Sequence, residues 1–398
     1  MIEAGTDPRL VIVGASVRSA AQCAARAGFK VFALDQFADR DLRAVAQVDS
    51  LQSLLDIDES VWERWVGAPV LLCGGMENRP ESIAILKGHG CICHTHPSAL
   101  SELRNPAAWA RWASSSDLLF PQTHRSRDKD LPRDADDSWL IKSLVGAGGM
   151  SVRRWGGEPL HALEYVQRYI EGEVLGVTFL RHGCTSRVMG CAMSWPMDSF
   201  WGPMPFIYRG SVGPIGLNIE ELVSLTDFAS RVSDETGLTG LWQADFVRNS
   251  DGWWLLEINP RWSSSMELIE AVDGVSLVAH HVAAVLGETE LRSTAFDREG
   301  GAVPDPYGGA GLVGKVVRYA PNDCVPSHDL LEAWWGKRWD GAWDSLHGEN
   351  RLADIPGETS VIPGGYPICT EYASGRSIPE VRDRLQKSTI SLGSLRIE

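Results

Sequence analysis

Apolar residues in the first hundred positions come in short unbroken runs separated by amphipathic stretches. Leu10 to Gly14 is a β-branched run closed by a glycine, Val17 to Ala27 is alanine-rich, and Lys30 to Leu34 is a second apolar run ending at Asp35. This predicts a strand, a helix and a strand. Pro69 to Cys73 predicts a further strand and Glu81 to Lys87 a helix, and the alternation continues to about residue 100. Strands alternating with helices predict a parallel, doubly wound sheet. The texture changes near Trp139. Ser138 to Lys142, Val174 to Leu180, Arg187 to Ser194, Leu241 to Val247 and Trp253 to Ile258 are strand-like runs between glycine clusters and predict a mostly antiparallel arrangement. One long helix, Ile219 to Glu235, follows from the apolar stripe Leu222, Leu225, Phe228, Ala229 and Val232. Ser293 to Gly309 has the glycine, proline and aspartate content of a linker or long loop. Beyond it, Gly311 to Tyr319 predicts a strand and Pro379 to Gln386 a closing helix. The expected class is α/β followed by α+β, and 398 residues suit two or three domains.

Composition narrows the function. Lys+Arg 37 against Asp+Glu 52 leaves a formal net charge of −15 without any long basic block, which argues against nucleic acid or an anionic membrane as partner. No apolar run approaches the ~18 residues needed to span a bilayer. The opening MIEAGTDPRL has no export-signal pattern, and the eight cysteines are scattered in a way that suits reduced thiols, so a cytoplasmic protein is expected. The sixteen tryptophans, several in pairs such as Trp62/Trp65 and Trp109/Trp112, are expected in core packing.

The chemistry concentrates in Leu241 to Arg261. Two strands flank the turn-prone Asn249-Ser-Asp-Gly252 and predict a hairpin. With a side-chain period of two, Glu257 and Asn259 project from one face alongside Trp253 and Leu255. Asp245 joins that face only if the hairpin loop has an odd number of residues or the ladder contains a bulge. Two carboxylates and an amide oxygen suit Mg²⁺, a hard ion that also takes substrate phosphates. Arg261 follows as a bidentate donor to phosphate or carboxylate. Upstream, the strand-borne Lys142 precedes a loop with Gly146, Gly148, Gly149 and Ser151, where backbone N–H groups can approach phosphate oxygens. It is not a Walker sequence, since no Gly-Lys-Ser/Thr follows. The run Cys91-Ile-Cys93-His94-Thr-His96 offers soft ligands, but alternate strand positions point to opposite faces and no second pair lies at structural-zinc spacing. Gly14 to Ser19 could bind an anion at a helix N-terminus, though the spacing is not G-x-G-x-x-G.

Glu257-Ile-Asn-Pro-Arg261 with the upstream Asp245 resembles the ATP-grasp superfamily, and in particular the predicted ATP-dependent carboligases related to biotin carboxylase. The resemblance implies an ATP-grasp fold in four stretches. These are an N-terminal parallel-sheet (pre-ATP-grasp) domain at 1–104, a small lid at 105–173, a large antiparallel-sheet domain at 174–300, and an extension at 301–398 completing the large domain. It implies that Asp245, Glu257 and Asn259 bind Mg²⁺ (or Mn²⁺), with Glu257 bridging two ions, and that Arg261 contacts the transferred phosphoryl or the substrate carboxylate. It further implies that Lys142 holds the α and β phosphates of ATP, under the loop of Gly146, Gly148, Gly149 and Ser151. The segment Gln167-Arg168-Tyr-Ile170 would pair its backbone with adenine, and Glu173 would hold ribose. Gln167 stands where the family commonly has an acid. The family's second lysine is not evident around Arg104 to Trp112, which leaves Arg104 or Arg111 to replace it. Ser16, Arg18 and Ser19 would contact substrate.

The activity implied is a carboxylate–amine ligase working through an acyl phosphate and releasing ADP and phosphate, with small-molecule acid and amine substrates and a homodimer as an admitted assembly. A glutamate-type ligase of cofactor biosynthesis is one such assignment. The alternatives are a biotin-carboxylase-like enzyme using a separate carrier, since no Met-Lys-Met attachment site is present, and a catalytically silent ATP-binding regulator. A nicotinamide-dependent oxidoreductase is disfavoured by the missing glycine fingerprint.

Overall fold

The computed structural model describes residues 9–51, 59–126, 128, 131, 138–196, 205–288, 311–346, 349–358 and 361–388. The expected linker, Ser293 to Gly309, lies outside these residues. Near the N-terminus β1 (Arg9–Val13), β2 (Lys30–Asp35), β3 (Ala46–Ser50), β4 (Pro69–Leu72) and β5 (Ile92–Cys93) form a parallel sheet in the order β3-β2-β1-β4-β5. Leu10 to Val13 are wholly buried because β1 is covered on both faces. Leu10 and Ile12 pack with Ala20, Ala21 and Ala24 of the helix Arg18–Arg26, whereas Val11 and Val13 pack in the cluster holding Trp62 and Trp65. Such two-sided burial is why the strand has no polar alternation. The order reverses at β1, so the exits of β1 and β4 form the crevice in which doubly wound sheets place ligands. Gly14 is required there, since a Cβ would lie 2.5 Å from that of Cys73.

A second sheet contains β6 (Thr123–Arg125), β7 (Trp139–Ser143), β8 (Arg153–Arg154) and β9 (Glu164–Arg168) in the order β6-β9-β7-β8. The third is fully antiparallel and has eight strands. They are β10 (Glu173–His182), β11 (Thr185–Ser194), β12 (Gly210–Gly213), β13 (Gly240–Asn249), β14 (Gly252–Asn259), β15 (Leu312–Tyr319), β16 (Arg351–Ala353) and β17 (Pro367–Gly375), in the order β14-β13-β10-β11-β12-β15-β17-β16. The long helix Ile219–Thr236 begins at an Asn218/Glu221 capping box and ends at a left-handed Gly237. Its Phe228 meets Phe179 of β10 and Phe246 of β13, which anchors the apolar stripe on this sheet.

Besides the long helix and the closing helix (Ile378–Gln386) that the pattern predicts, the structure adds Met266–Asp273, Leu277–Leu286 and His328–Gly336 among the described residues. Leu277, Val278, His280, His281, Val282, Ala283 and Ala284 are all buried, so the second of these has no polar face to reveal its period. Among the described residues no single helix is long and apolar enough to cross a membrane.

Buried ion pairing ties the first sheet to the third. Arg18 donates to Glu267 (2.7 Å), Asp354 (2.8 Å) and the Tyr372 hydroxyl (2.7 Å), while Lys315 on β15 donates to Glu267 (2.8 Å). The exit of β14 is carried to the crevice by a bond from the Trp262 N–H to the Leu72 carbonyl (2.7 Å).

Candidate active site

The β13–β14 hairpin has a two-residue loop, Ser250 and Asp251, with Asn249 opposite Gly252. An even loop alone would place Asp245 opposite Leu256. A bulge intervenes: Phe246 pairs with Leu255 and Asp245 with Glu257, leaving Leu256 without a cross-strand partner. Residues directly opposite in an antiparallel pair share a face, so Gln243, Asp245, Glu257 and Asn259 lie on one face. The bulge also corrects the sequence-based expectation for Trp253 and Leu255. They fall on the opposite face with Phe246, where Trp253 meets Phe246 edge-on (5.6 Å) and Phe246 meets Phe228 of the long helix.

The polar face is tightly bonded. The Asn259 amide donates to Asp245 (2.9 Å) and Glu257 (3.4 Å), Gln243 donates to the other Asp245 oxygen (2.7 Å), and Ser265 donates to Gln243 (3.0 Å). Burial pushes Asp245 up to about 7, and the facing Glu257 adds to the shift. Burial also opposes the charge on Glu257, yet Arg104 and Lys142 hold it below the usual carboxylate range. Two half-buried carboxylates on one face, bridged by the Asn259 amide, are a donor set that fits a hard divalent cation.

Arg261 sits beside this cluster. It donates to Asn259 Oδ1 (3.0 Å), to the Trp262 carbonyl (3.2 Å), to Ser263 and, through Nε, to Glu77 (3.1 Å). Glu77 is a partner that sequence reasoning missed. It lies in the turn Gly74-Gly75-Met76-Glu77-Asn78 directly after β4, and the exit of a parallel strand beside the switch point was the available signal.

From the second sheet, Lys142 on β7 donates to Gln167 on β9 (2.7 Å), and Gln167 donates to Thr123 on β6 (3.2 Å). Burial pulls the Lys142 ammonium below its usual range, against the pull of Glu257 and Asp245. Gln167 therefore faces Lys142. The loop after β7 needs its glycines. Gly148 and Gly149 have φ of 62° and 75°, a Cβ on Gly149 would come within 1.9 Å of the Phe206 carbonyl oxygen, and one on Gly146 within 2.5 Å of Ser151 Oγ. The Tyr208 N–H donates to the Gly148 carbonyl (3.0 Å), so the loop rests on the 206–208 segment that leads into β12.

The remaining expected residues divide. Arg104 is buried and donates to the Leu144 carbonyl (3.1 Å), next to the glycine loop, while Arg111 is half-exposed and pairs with Glu102 and Glu235 away from it. Arg168 is exposed over the Trp139 ring (5.8 Å), and its N–H donates to the Gln122 carbonyl (2.8 Å). Ile170 is half-buried. The Glu173 carboxylate is engaged by Arg248 (2.8 Å). Ser16 is exposed at the crevice, but Arg18 and Ser19 do not reach it. Arg18 is only 1% exposed and saturated by Glu267, Asp354 and Tyr372, and Ser19 accepts from the Trp262 indole (3.0 Å), so both are packing groups rather than substrate contacts. Cys91, Cys93, His94 and His96 do not converge. Cys91 bonds to the Trp65 carbonyl, His94 to the Pro260 carbonyl (3.0 Å), and His96 accepts from the Ser98 N–H at the start of Pro97–Leu103.

Residues 110–265 match the family model described as ATP-grasp domain. No curated protein matches. Among solved structures, the biotin carboxylase domain dimer of the Hydrogenobacter thermophilus 2-oxoglutarate carboxylase, in complex with MgADP, ADP and bicarbonate, is similar with a TM-score of 0.68 at 12% identity, covering 96% of this chain and 90% of that one. An ADP complex of N5-carboxyaminoimidazole ribonucleotide synthetase is similar with a TM-score of 0.65 at 15% identity, covering 96% of each chain. An L-amino acid ligase from Bacillus licheniformis gives 0.64 at 14% identity, covering 94% and 95%. The chain has the ATP-grasp fold, with the match to the ATP-grasp domain lying at residues 110–265.

Proposed function

We propose that the protein is a Mg-ATP-dependent ligase that activates a small-molecule carboxylate as an acyl phosphate and joins it to an amine. The observation that carries this is the bulged pairing of Asp245 with Glu257, bridged by Asn259, with Arg261 bonded to Asn259 and Lys142 close enough to act on Glu257. Asp245, Glu257 and Asn259 would hold Mg²⁺, which when bound neutralises charge on the phosphates. Lys142 would gather the phosphate oxygens under the loop of Gly146, Gly148, Gly149 and Ser151, and the segment Gln167 to Ile170 with Glu173 would hold the nucleoside. Arg261 would orient the acid for in-line attack on the γ-phosphoryl group, and the amine would then displace phosphate. The glycine loop would keep water from the acyl phosphate.

Support also comes from the fold, shared with an amino acid ligase and two carboxylating enzymes. Bicarbonate is a second candidate acid for the same centre, with bicarbonate-dependent ADP release as its signature. The test is the melting temperature with Mg-ATP and with ATP plus EDTA, followed by ADP release across acid and amine pairs. Glu257→Gln should abolish that release while leaving the melting temperature within a few degrees. Full activity in this variant would sink the assignment.

A further inference from the structure

Three successive carbonyls at the root of the glycine loop are held by side chains from outside the second sheet. Arg104 donates to Leu144 O through Nε (3.2 Å) and Nη2 (3.1 Å), and through Nη2 to Gly146 O (3.2 Å). Asn78 Nδ2 donates to Val145 O (3.0 Å). Asn78 belongs to the turn leaving β4 of the first sheet, next to Glu77, which holds Arg261 (3.1 Å). Arg104 closes the helix Pro97–Leu103, which follows β5 of that sheet. Beyond these bonds the loop is held at Gly148 by the Tyr208 N–H (3.0 Å) and backs onto Phe206 at Gly149, while Val145 and Met150 are 51% and 58% exposed.

We propose that Asn78, acting with Arg104, is a positioning residue for triphosphate recognition. By fixing the carbonyls of residues 144 to 146, the first sheet sets the glycine loop before nucleotide arrives. A loop fixed in advance loses less conformational freedom on binding, and that saving appears as affinity. The effect falls only on the part of the ligand the loop covers. Adenosine, held by the segment after β9, is indifferent to it, whereas ATP depends on it. Because Glu77 and Asn78 are adjacent, one turn sets both the loop over the phosphates and the arginine facing the acid. This inference rests on the Mg-ATP reading above.

The test uses the full chain, with Mg-ATP titrated calorimetrically and adenosine measured by competition, for the parent, Asn78→Ala and the near-isosteric Asn78→Leu. Loss of one hydrogen bond of ordinary strength corresponds to about a five-fold rise in the Kd for Mg-ATP. The adenosine Kd should stay unchanged, and amide exchange over 144–151 should speed up in the ligand-free variants. Equal Mg-ATP Kd values in parent and variants, or an equal loss for adenosine, would overturn the inference while leaving the nucleotide reading intact. So would a fall of more than a few degrees in the ligand-free melting temperature of both variants, which would make the contact structural. A parent chain that takes up no Mg-ATP would overturn the nucleotide reading first and this one with it.

Discussion

Replacing Glu267 by Gln keeps the side chain's shape and one acceptor but removes the anion at the centre of the buried network. Glu267 is 2% exposed and accepts from Arg18 (2.7 Å), Lys315 (2.8 Å) and Tyr372 (2.7 Å). Arg18 would still have Asp354. Lys315, also 2% exposed, would keep the Ser264 carbonyl and at most the neutral amide oxygen as acceptors, with no anion in contact. Breaking a buried pair from one side costs about 3 to 5 kcal/mol, because the remaining charge stays desolvated. At about 2 to 4 °C per kcal/mol for units of this size, the melting temperature should drop by about 6 to 20 °C. Differential scanning calorimetry on Glu267→Gln measures it, and Glu267→Leu combined with Lys315→Met supplies the control. Removing both charges leaves no orphan, so the double variant should be more stable than Glu267→Gln alone. A drop of less than about 2 °C, or a double variant no better than the single, would refute the claim that Lys315 depends on this carboxylate.

Two more predictions follow from buried groups and the loop. His94 and His281 pack edge to face (5.0 Å), and burial lowers their pKa values to about 4 and about 3. Their folded values lie below the unfolded ~6.5, so the unfolded chain binds more protons at acid pH. Their stabilisation is complete above about 6.5 and is lost as pH falls towards 4, roughly 2 kcal/mol each by pH 5. Urea melts at pH 7.5 and 5 should show this, with a flatter pH profile in His94→Leu; an equally steep profile would count against it. Gly149→Ala should weaken Mg-ATP binding at least ten-fold with the fold retained, because φ of 75° and the Phe206 carbonyl both exclude a methyl group; unchanged affinity in a titration would show that the loop has no part in binding.

Much of this architecture was legible from pattern. The first strand–helix–strand unit, the β13–β14 hairpin and the capped helix Ile219–Thr236 all follow from runs, turns and stripes that are local in sequence. The bulge was not legible, although its consequence was. The two-residue turn is encoded by Asn249 to Gly252, but nothing about Leu256 announces that it lacks a partner, and the strain-free choice depends on what Asp245 faces. Glu77 was missed because its partner Arg261 is 184 residues away. Arg18 misled for the same reason: an arginine after a glycine turn looks like an anion site until Glu267 and Asp354, 249 and 336 residues distant, are seen to occupy it. Local period reports burial, but it is silent on which distant charge completes a buried one.

The strand order of the third sheet also dictates a sequence of events during synthesis. β12 pairs with β15, and β15 with β17, so this sheet cannot close until residues beyond 370 have left the ribosome. The first sheet needs only residues 9–93. At about 5 to 20 residues per second, roughly 15 to 60 s separate the two. Early in that interval Arg18 has only Gln22 and Asp41 beside it, and Glu267 and Asp354 join it as the later strands are made. Burying that arginine is therefore among the last electrostatic events of folding, because Asp354 lies between β16 and β17.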